Sequence, residues 1–121
     1  MATTTRGMRA GPLRHRVRLQ SPIMHVSHED GEAVVERWKD VAKVWASIEP
    51  LSGREYLASL EFRSGLTTRI RIRWRDDVTA AMRVLHGRTT YAIDAVLPGY
   101  AGRAELQLMC GSGVITDGGQ P

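Results

Sequence analysis

The sequence is poor in cysteine and in long apolar runs, and each shortage excludes a class of protein. The single cysteine, Cys110, has no partner within the chain, which excludes the internal disulfide framework of a small secreted domain. No apolar run approaches the roughly 18 residues of a membrane-spanning helix. Residues 1–12 lack the apolar stretch of a secretory signal. We therefore expect a cytosolic origin and no membrane association, and a length of 121 residues fits one domain.

Lysine is also scarce, so that arginine carries most of the positive charge, and this charge is unevenly placed. Lys39 and Lys43 are the only lysines among 17 basic residues, and 13 acidic residues leave a net charge of +4. The first 18 residues hold five arginines and no acid, whereas residues 29–36 hold four acids and no base. Such a basic arm contacts nucleic acid, contacts an acidic neighbour, or remains a solvated tail. A net charge this small does not favour nucleic acid.

The chain divides into an arm, a β domain and a tail. Residues 1–12 and 111–121 have turn-forming compositions without periodicity, which predicts an N-terminal arm and a flexible C-terminal tail. Between them, residues 13–110 contain short alternating stretches separated by turn signals, which predict a mainly β domain, a small antiparallel barrel or sandwich. The predicted strands cover residues 14–20, 33–38, 41–49, 67–75, 82–85, 89–94 and 103–110.

One short helix is predicted among the strands. Ser52 and Glu55 have the spacing of a capping box, in which each side chain accepts a hydrogen bond from the other residue's backbone amide. The apolar residues that follow share one helical face. We expect a helix over about 53–62 that ends before Gly65, with Gly65 as its C′ residue. A helix of about ten residues is marginal alone, so it must pack on another surface.

Residues capable of catalysis are present but not in a catalytic arrangement. His25 and His28 have metal-like spacing, but they lie in a predicted polar turn without the further Cys or His ligands that zinc prefers. Cys110 ends a predicted strand, where a partly buried apolar role is the better interpretation. The sequence contains neither a nucleophile elbow nor a glycine-rich phosphate loop. We expect no enzyme activity, no metal and no cofactor.

The strongest single feature is a row of arginines on one predicted strand. Residues 67–75 alternate between apolar and basic positions, so four arginines project from one face about 6.8 Å apart. Three interpretations remain open: the row pairs with acids of a neighbouring strand or subunit, it is solvated, or it follows DNA phosphates. The aromatic residues that a single-strand binder interleaves with its basic residues are missing from this face. The row consists of Arg69, Arg71, Arg73 and Arg75.

Five segments of the chain together carry a resemblance to a known family. The longest is residues 38–55, with the sequence WKDVAKVWASIEPLSGRE. The other four segments are RAGPLRHRV at residues 9–17, TRIRIRWR at 68–75, the hairpin MRVL with TYAI at 82–93, and ELQLMC at 105–110. In this order they resemble the phage head-tail joining family, the head closure or stopper proteins of tailed bacteriophages, and residues 38–55 are similar to the tryptophan-containing core segment of that family. The resemblance covers roughly residues 9–110.

This resemblance implies a structural virion protein at the neck, between head and tail. Its expected form is a ring, usually of twelve copies, that docks on the portal–adaptor complex, retains the packaged double-stranded DNA and offers a surface to tail or tail-terminator proteins. Made in the bacterial cytoplasm, the chain would end in the virion.

The resemblance also suggests which residues to test. Candidates for contacts between subunits or rings are Arg69, Arg71, Arg73, Arg75, Trp38, Trp45, Arg54 and Glu55. Candidates for a segment that faces or plugs the channel are Leu51, Ser52, Gly53, Tyr56 and Glu61, with the hairpin tip at residues 25–31 as a competitor. Candidates for contacts of the N-terminal arm are Arg6 and Arg9.

Two other functions remain open on the sequence. A tail-completion or terminator protein of the neck would use a similar small β scaffold. A free nucleic-acid-binding barrel would use the strand from Arg69 to Arg75, and its affinity would fall steeply with salt.

Overall fold

The computed structural model describes residues 12–60, 65–99 and 102–115, with the side chains of residues 102 and 103 left aside. The described part holds seven strands and one helix. In chain order the elements are β1 (His15–Val26), β2 (Ala33–Pro50), α1 (Gly53–Ser59), β3 (Thr68–Arg73), β4 (Arg83–His86), β5 (Thr89–Gly99), β6 (Gly102–Cys110) and β7 (Val114–Ile115).

The strands form one antiparallel sheet that closes on itself. Their order is β4-β1-β2-β3-β6-β5-β7, and a further pairing between β4 and β5 completes a ring of six strands. The short strand β7 pairs with the start of β5, at Thr89 and Thr90. The predicted fold class, mainly β and antiparallel with one short helix, is therefore confirmed. No helix among the described residues is long and apolar enough to cross a membrane.

The core fills the inside of the ring with aliphatic side chains from every long strand. In the register of β3, Ile70 and Ile72 lie between β2 and β6 and are fully buried. Leu19 on β1, Val84 on β4 and Leu108 on β6 are equally buried in the same cluster. Because side chains alternate across a strand, the opposite face of β3 carries its arginines, as the sequence pattern predicted.

The first two strands form a hairpin that extends well beyond the ring. β1 pairs with β4 only at residues 18–20, and β2 pairs with β3 only at residues 46–50, so residues 21–26 and 33–39 pair only with each other. Gly31, with φ of +74°, is part of the turn between them. The sequence predicted two separate strands here, but β2 runs continuously through Lys39 and Asp40. Two register shifts in the pairing of β1 with β2 allow the strands to stay hydrogen-bonded despite the break in alternation.

The helix begins as predicted and ends earlier. Both capping-box hydrogen bonds are present: the amide of Glu55 donates to Ser52 Oγ at 3.1 Å, and the amide of Ser52 donates to Glu55 Oε1 at 3.0 Å. The helix ends at Ser59 with Leu60 as its C-cap, short of the predicted end near residue 62. Gly65 has a positive φ of 57°, but it lies five residues beyond the cap, so the prediction that it is the C′ residue is wrong.

Candidate functional site

The arginine row lies on the outer face of the ring, and its two halves have different surroundings. On the helix side, Arg69 and Arg71 are buried, with only 1% of Arg71 exposed. On the other side, Arg73 is exposed at the end of β3, and Arg75 lies in the following loop. The row is thus not a uniform basic surface.

Arg71 is held by carboxylates from the two neighbouring strands. Its Nε donates to Glu49 Oε2 on β2 at 3.2 Å, and its Nη1 donates to the two carboxylate oxygens of Glu105 on β6 at 2.9 and 3.1 Å. Ser47 Oγ donates to the same Glu49 oxygen at 3.0 Å. A nearly buried guanidinium is tolerated because several acceptors surround it.

Arg69 links the sheet to the helix. Its Nη2 donates to Glu55 Oε2, and its Nη1 lies 3.8 Å from Glu49 Oε1. Glu55 therefore serves the capping box and the ion pair together. The backbone hydrogen bond from Ser52, followed by the bond from Arg69, lowers the pKa of Glu55. Of the three interpretations left open for the row, Arg69 and Arg71 fit pairing with acids of the same chain.

Arg75 is paired locally, in the loop after β3. Its Nε and Nη2 donate to the two carboxylate oxygens of Asp77 at 3.0 and 2.9 Å. These hydrogen bonds lower the pKa of Asp77 and raise that of Arg75. Only Arg73, of the four predicted residues, presents its side chain to solvent without an ion pair to a described residue.

The two tryptophans of the motif at residues 38–55 each contact an arginine. Trp45 is 49% exposed, and the guanidinium carbon of Arg16 lies 4.9 Å from the centroid of its ring. Trp38 is half-buried, and the guanidinium carbon of Arg83 lies 4.1 Å from its ring centroid. Both distances are within the range of cation–π contacts. Sequence reasoning missed these partners, because they come from strands remote in the sequence.

Trp45 also borders a shallow depression at the start of the first strand. Its volume is about 310 Å³, and Leu13, Trp45 and Arg73 line it. Arg16 lies opposite Trp45 in the β1–β2 register, and Arg18 lies opposite Lys43, so these four side chains share a face. Asp40 accepts a hydrogen bond from Arg18, at 3.4 Å.

The helical segment, predicted to face a channel or a neighbour, is loosely attached. Ser59 is its buried residue, and Ser59 Oγ accepts a hydrogen bond from the amide of Leu66 at 2.8 Å. Tyr56, Leu57 and Leu60, the face expected to pack, are all exposed instead. The sheet does not bury them, because Glu55 and Ser59 are the helix residues that bond to the strands and to the segment before β3.

An open groove of about 770 Å³ separates the helix from β5 and β6. Apolar side chains line most of it, and its polar side chains are Glu55, Ser59, Arg69, Asp94 and Gln107. Of the residues predicted to face a channel, Leu51 lines this groove, whereas Ser52 and Gly53 are exposed at the start of the helix. Arg54 is exposed on the helix. Glu61, Arg6 and Arg9 lie outside the described residues.

The groups considered for catalysis are placed apart or buried. Cys110 is buried in the core, and burial raises the pKa of its thiol to about 12, which leaves it protonated. His15 and His86 make an edge contact with ring centroids 4.8 Å apart, and burial lowers the pKa of His86. Among the described residues, no cluster of three His, Cys, Asp or Glu side chains can hold a metal.

Comparisons with known proteins find one family and two similar solved structures. The sequence model of a family described as phage head completion protein matches residues 8–113. A solution structure of a protein from Shigella flexneri 2a is similar, with a TM-score of 0.65 and 28% identity over 87% of this chain and 96% of that one. A chain from the virion of a native gene transfer agent particle shares the fold, with a TM-score of 0.60 and 16% identity over 88% of this chain and 100% of that one. No curated protein matches.

Proposed function

Because the chain belongs to the phage head completion protein family, a family of structural virion proteins, we propose that it is the head closure protein, or stopper, of the particle. In this role, copies form a ring, of twelve by resemblance, below the portal–adaptor complex. The ring retains the packaged DNA in the filled head and offers the surface on which the tail docks.

The family match over residues 8–113 is the observation that carries this proposal. The hairpin supports it, because a two-stranded ribbon is marginally stable by itself and needs further contacts. Met24, Val26, Val34 and Val35 are exposed on this ribbon. Apolar side chains on a projecting ribbon are typical of a surface that an assembly covers.

The helical segment is the part we propose to face the channel or the neighbouring ring. Its capping box fixes the start of the helix, while Tyr56, Leu57 and Leu60 remain exposed. The segment joins β2 to β3 and bonds to the sheet mainly through Glu55 and Ser59. It can therefore shift without opening the core, which suits a plug that must let DNA pass.

The nucleic-acid alternative loses its main support in the structure. Arg69 and Arg71 bond to Glu49, Glu55 and Glu105, so a phosphate backbone would have to compete with carboxylates already in place. Sequence-independent DNA binding needs several accessible cations in a row. Contacts with packaged DNA inside the channel remain part of the proposal, but they do not require this strand.

The test is to measure the mass of the purified chain by sedimentation, first alone and then with the matching portal–adaptor complex. We expect a monomer alone and a complete ring on the complex. A chain that ignores the portal–adaptor complex but binds assembled tails would instead be a tail-completion or terminator protein. A chain that binds only DNA, with an affinity that falls steeply with salt, would be a nucleic-acid-binding protein.

A further inference from the structure

The tip of the β1–β2 hairpin is acidic, and basic residues surround Trp45 nearer the other end of β2. The acidic tip comprises residues 27–36, the turn and first part of β2, with Glu29, Asp30, Glu32 and Glu36. The tryptophan face comprises Leu13, Arg16, Lys43, Trp45 and Arg73 on the outside of the ring. Each surface combines charge of one sign with exposed apolar side chains.

The acidic tip is exposed to solvent. All four acids are exposed, and none has an ion pair with a residue of the described ranges. The amide of Glu32 donates to Asp30 Oδ1 at 3.0 Å, and this bond lowers the pKa of Asp30. The apolar side chains nearest to it, Val26 and Val34, are also exposed.

The tryptophan face offers the matching chemistry. Arg16, Lys43 and Arg73 are exposed around Trp45, and none of the three has an ion pair to a described residue. Most of the other described acids already form ion pairs with arginines of their own chain. These acids are Asp40, Glu49, Glu55, Asp77 and Glu105. The acidic tip is thus the main unengaged acidic surface in the described part of the chain.

The two surfaces cannot meet within one molecule. Glu36, the tip residue nearest to Trp45 along β2, is nine residues away from it, which corresponds to about 30 Å at 3.3 Å per residue. A contact between them must therefore join two copies. A contact between different patches on two identical chains is head-to-tail, and repeating it produces a closed ring when the rotation allows.

We propose that the acidic tip of one copy docks on the tryptophan face of the next copy, with Glu29 and Glu32 against Arg16 and Arg73 and the hairpin valines against Trp45. This contact rests on the proposed function and specifies how its ring would be held together. The partner is a second copy rather than DNA, because the tip is acidic and apolar and DNA offers it neither cations nor apolar surface.

Charge exchange between the two surfaces tests this contact. A tip-reversed variant carries Glu29→Lys and Glu32→Lys, and a face-reversed variant carries Arg16→Glu and Arg73→Glu. All four side chains are exposed, so both variants should remain folded. The face-reversed variant should lose only the small stabilisation from the contact between Arg16 and Trp45. Arg54→Glu makes the same charge change on the helix, away from β2, and serves as the matched control.

The readout is the number of copies bound to the portal–adaptor complex, measured as the concentration of the chain is varied at low salt. Each reversed variant alone should assemble about a hundredfold more weakly than wild type, because like charges then face each other. An equal mixture of the two should restore assembly, since each tip finds a face of opposite charge. Arg54→Glu should assemble like wild type.

Three results would overturn the proposal, and they point to different causes. If wild type assembles on the complex but the mixture does not, these surfaces are not the contact and the head closure function stands. If the face-reversed variant loses DNA binding while its assembly is unchanged, the tryptophan face binds DNA. If wild type does not join the portal–adaptor complex at all, the proposed function itself is wrong.

Discussion

Arginines lie on both the helix side and the tryptophan side of the outer face, but their surroundings differ. On the helix side, Arg69 and Arg71 are buried among Glu49, Glu55 and Glu105. On the tryptophan side, Arg16 and Arg73 are exposed, and the charges that would match them lie far away on the hairpin tip. Alternating arginines in a sequence can therefore include both side chains that are buried in ion pairs and side chains that are exposed to solvent.

The largest expected effect breaks the paired half. Arg71→Ala removes the hydrogen bonds to Glu49 and Glu105 and leaves those carboxylates partly buried, which should lower the free energy of unfolding by about 3 kcal/mol. Arg73→Ala on the same strand, an exposed position, should change it by less than about 0.5 kcal/mol. Urea denaturation of both variants makes the comparison, and equal losses would contradict it.

A smaller effect is expected where the helix begins. Ser52→Ala removes the hydroxyl that accepts from the amide of Glu55, which should cost about 1 kcal/mol of stability. Ser112→Ala, in the segment between β6 and β7, provides a serine control without a capping role. An unchanged thermal midpoint for Ser52→Ala would show that this segment is ordered only when a partner binds it.

The unpaired half should be nearly neutral for folding. Arg16→Ala removes the contact with the ring of Trp45, an exposed cation–π pair, and should cost about 0.5 kcal/mol. Arg83→Ala should cost more than Arg16→Ala, because Arg83 also donates to Gln20 Oε1 at 2.8 Å and stacks on half-buried Trp38. Thermal unfolding of the two variants measures the difference, and the reverse order would contradict the distinction between arginines held by the chain's own contacts and solvent-exposed arginines.

The smallest effect appears only in acid. Because the pKa of Glu55 is lowered in the folded chain, its contribution to stability is complete above its ordinary pKa of 4.5 and is lost as the pH falls further. Unfolding measured between neutral and acidic pH should show this loss. Glu55→Gln should show a shallower decline over the same window, and an unchanged slope would mean that the bonds from Ser52 and Arg69 do not favour the ionised form.

Period-two alternation predicted the fold class and the arginine row of β3. The residue spacing of Ser52 and Glu55 predicted the start of the helix. The burial of Arg69 and Arg71 was not predictable from their own strand, because their partners come from β2, α1 and β6. A signal existed in Glu49 and Glu105, which are acids on two other predicted strands, but the order of the strands was not predicted.

The continuity of β2 and the early end of the helix depended on tertiary contacts. Lys39 and Asp40 interrupt the alternation, but Asp40 accepts a hydrogen bond from Gln20 Nε2 at 2.7 Å, which holds the two strands together at the irregularity. The helix ends at Ser59, whose hydroxyl accepts a hydrogen bond from the amide of Leu66. Helix propensity depends on local sequence and does not include that contact. Local patterns predicted the elements, whereas contacts between elements decided their limits.

The most direct test of the account is a cryo-electron microscopy reconstruction of the chain bound to the matching portal–adaptor complex. We predict one closed ring of copies, with the hairpin of each copy seated on the Trp45 side of the next and the helical segment toward the channel or the adjoining ring. Isolated copies without lateral contact, or no density attributable to the chain, would contradict it.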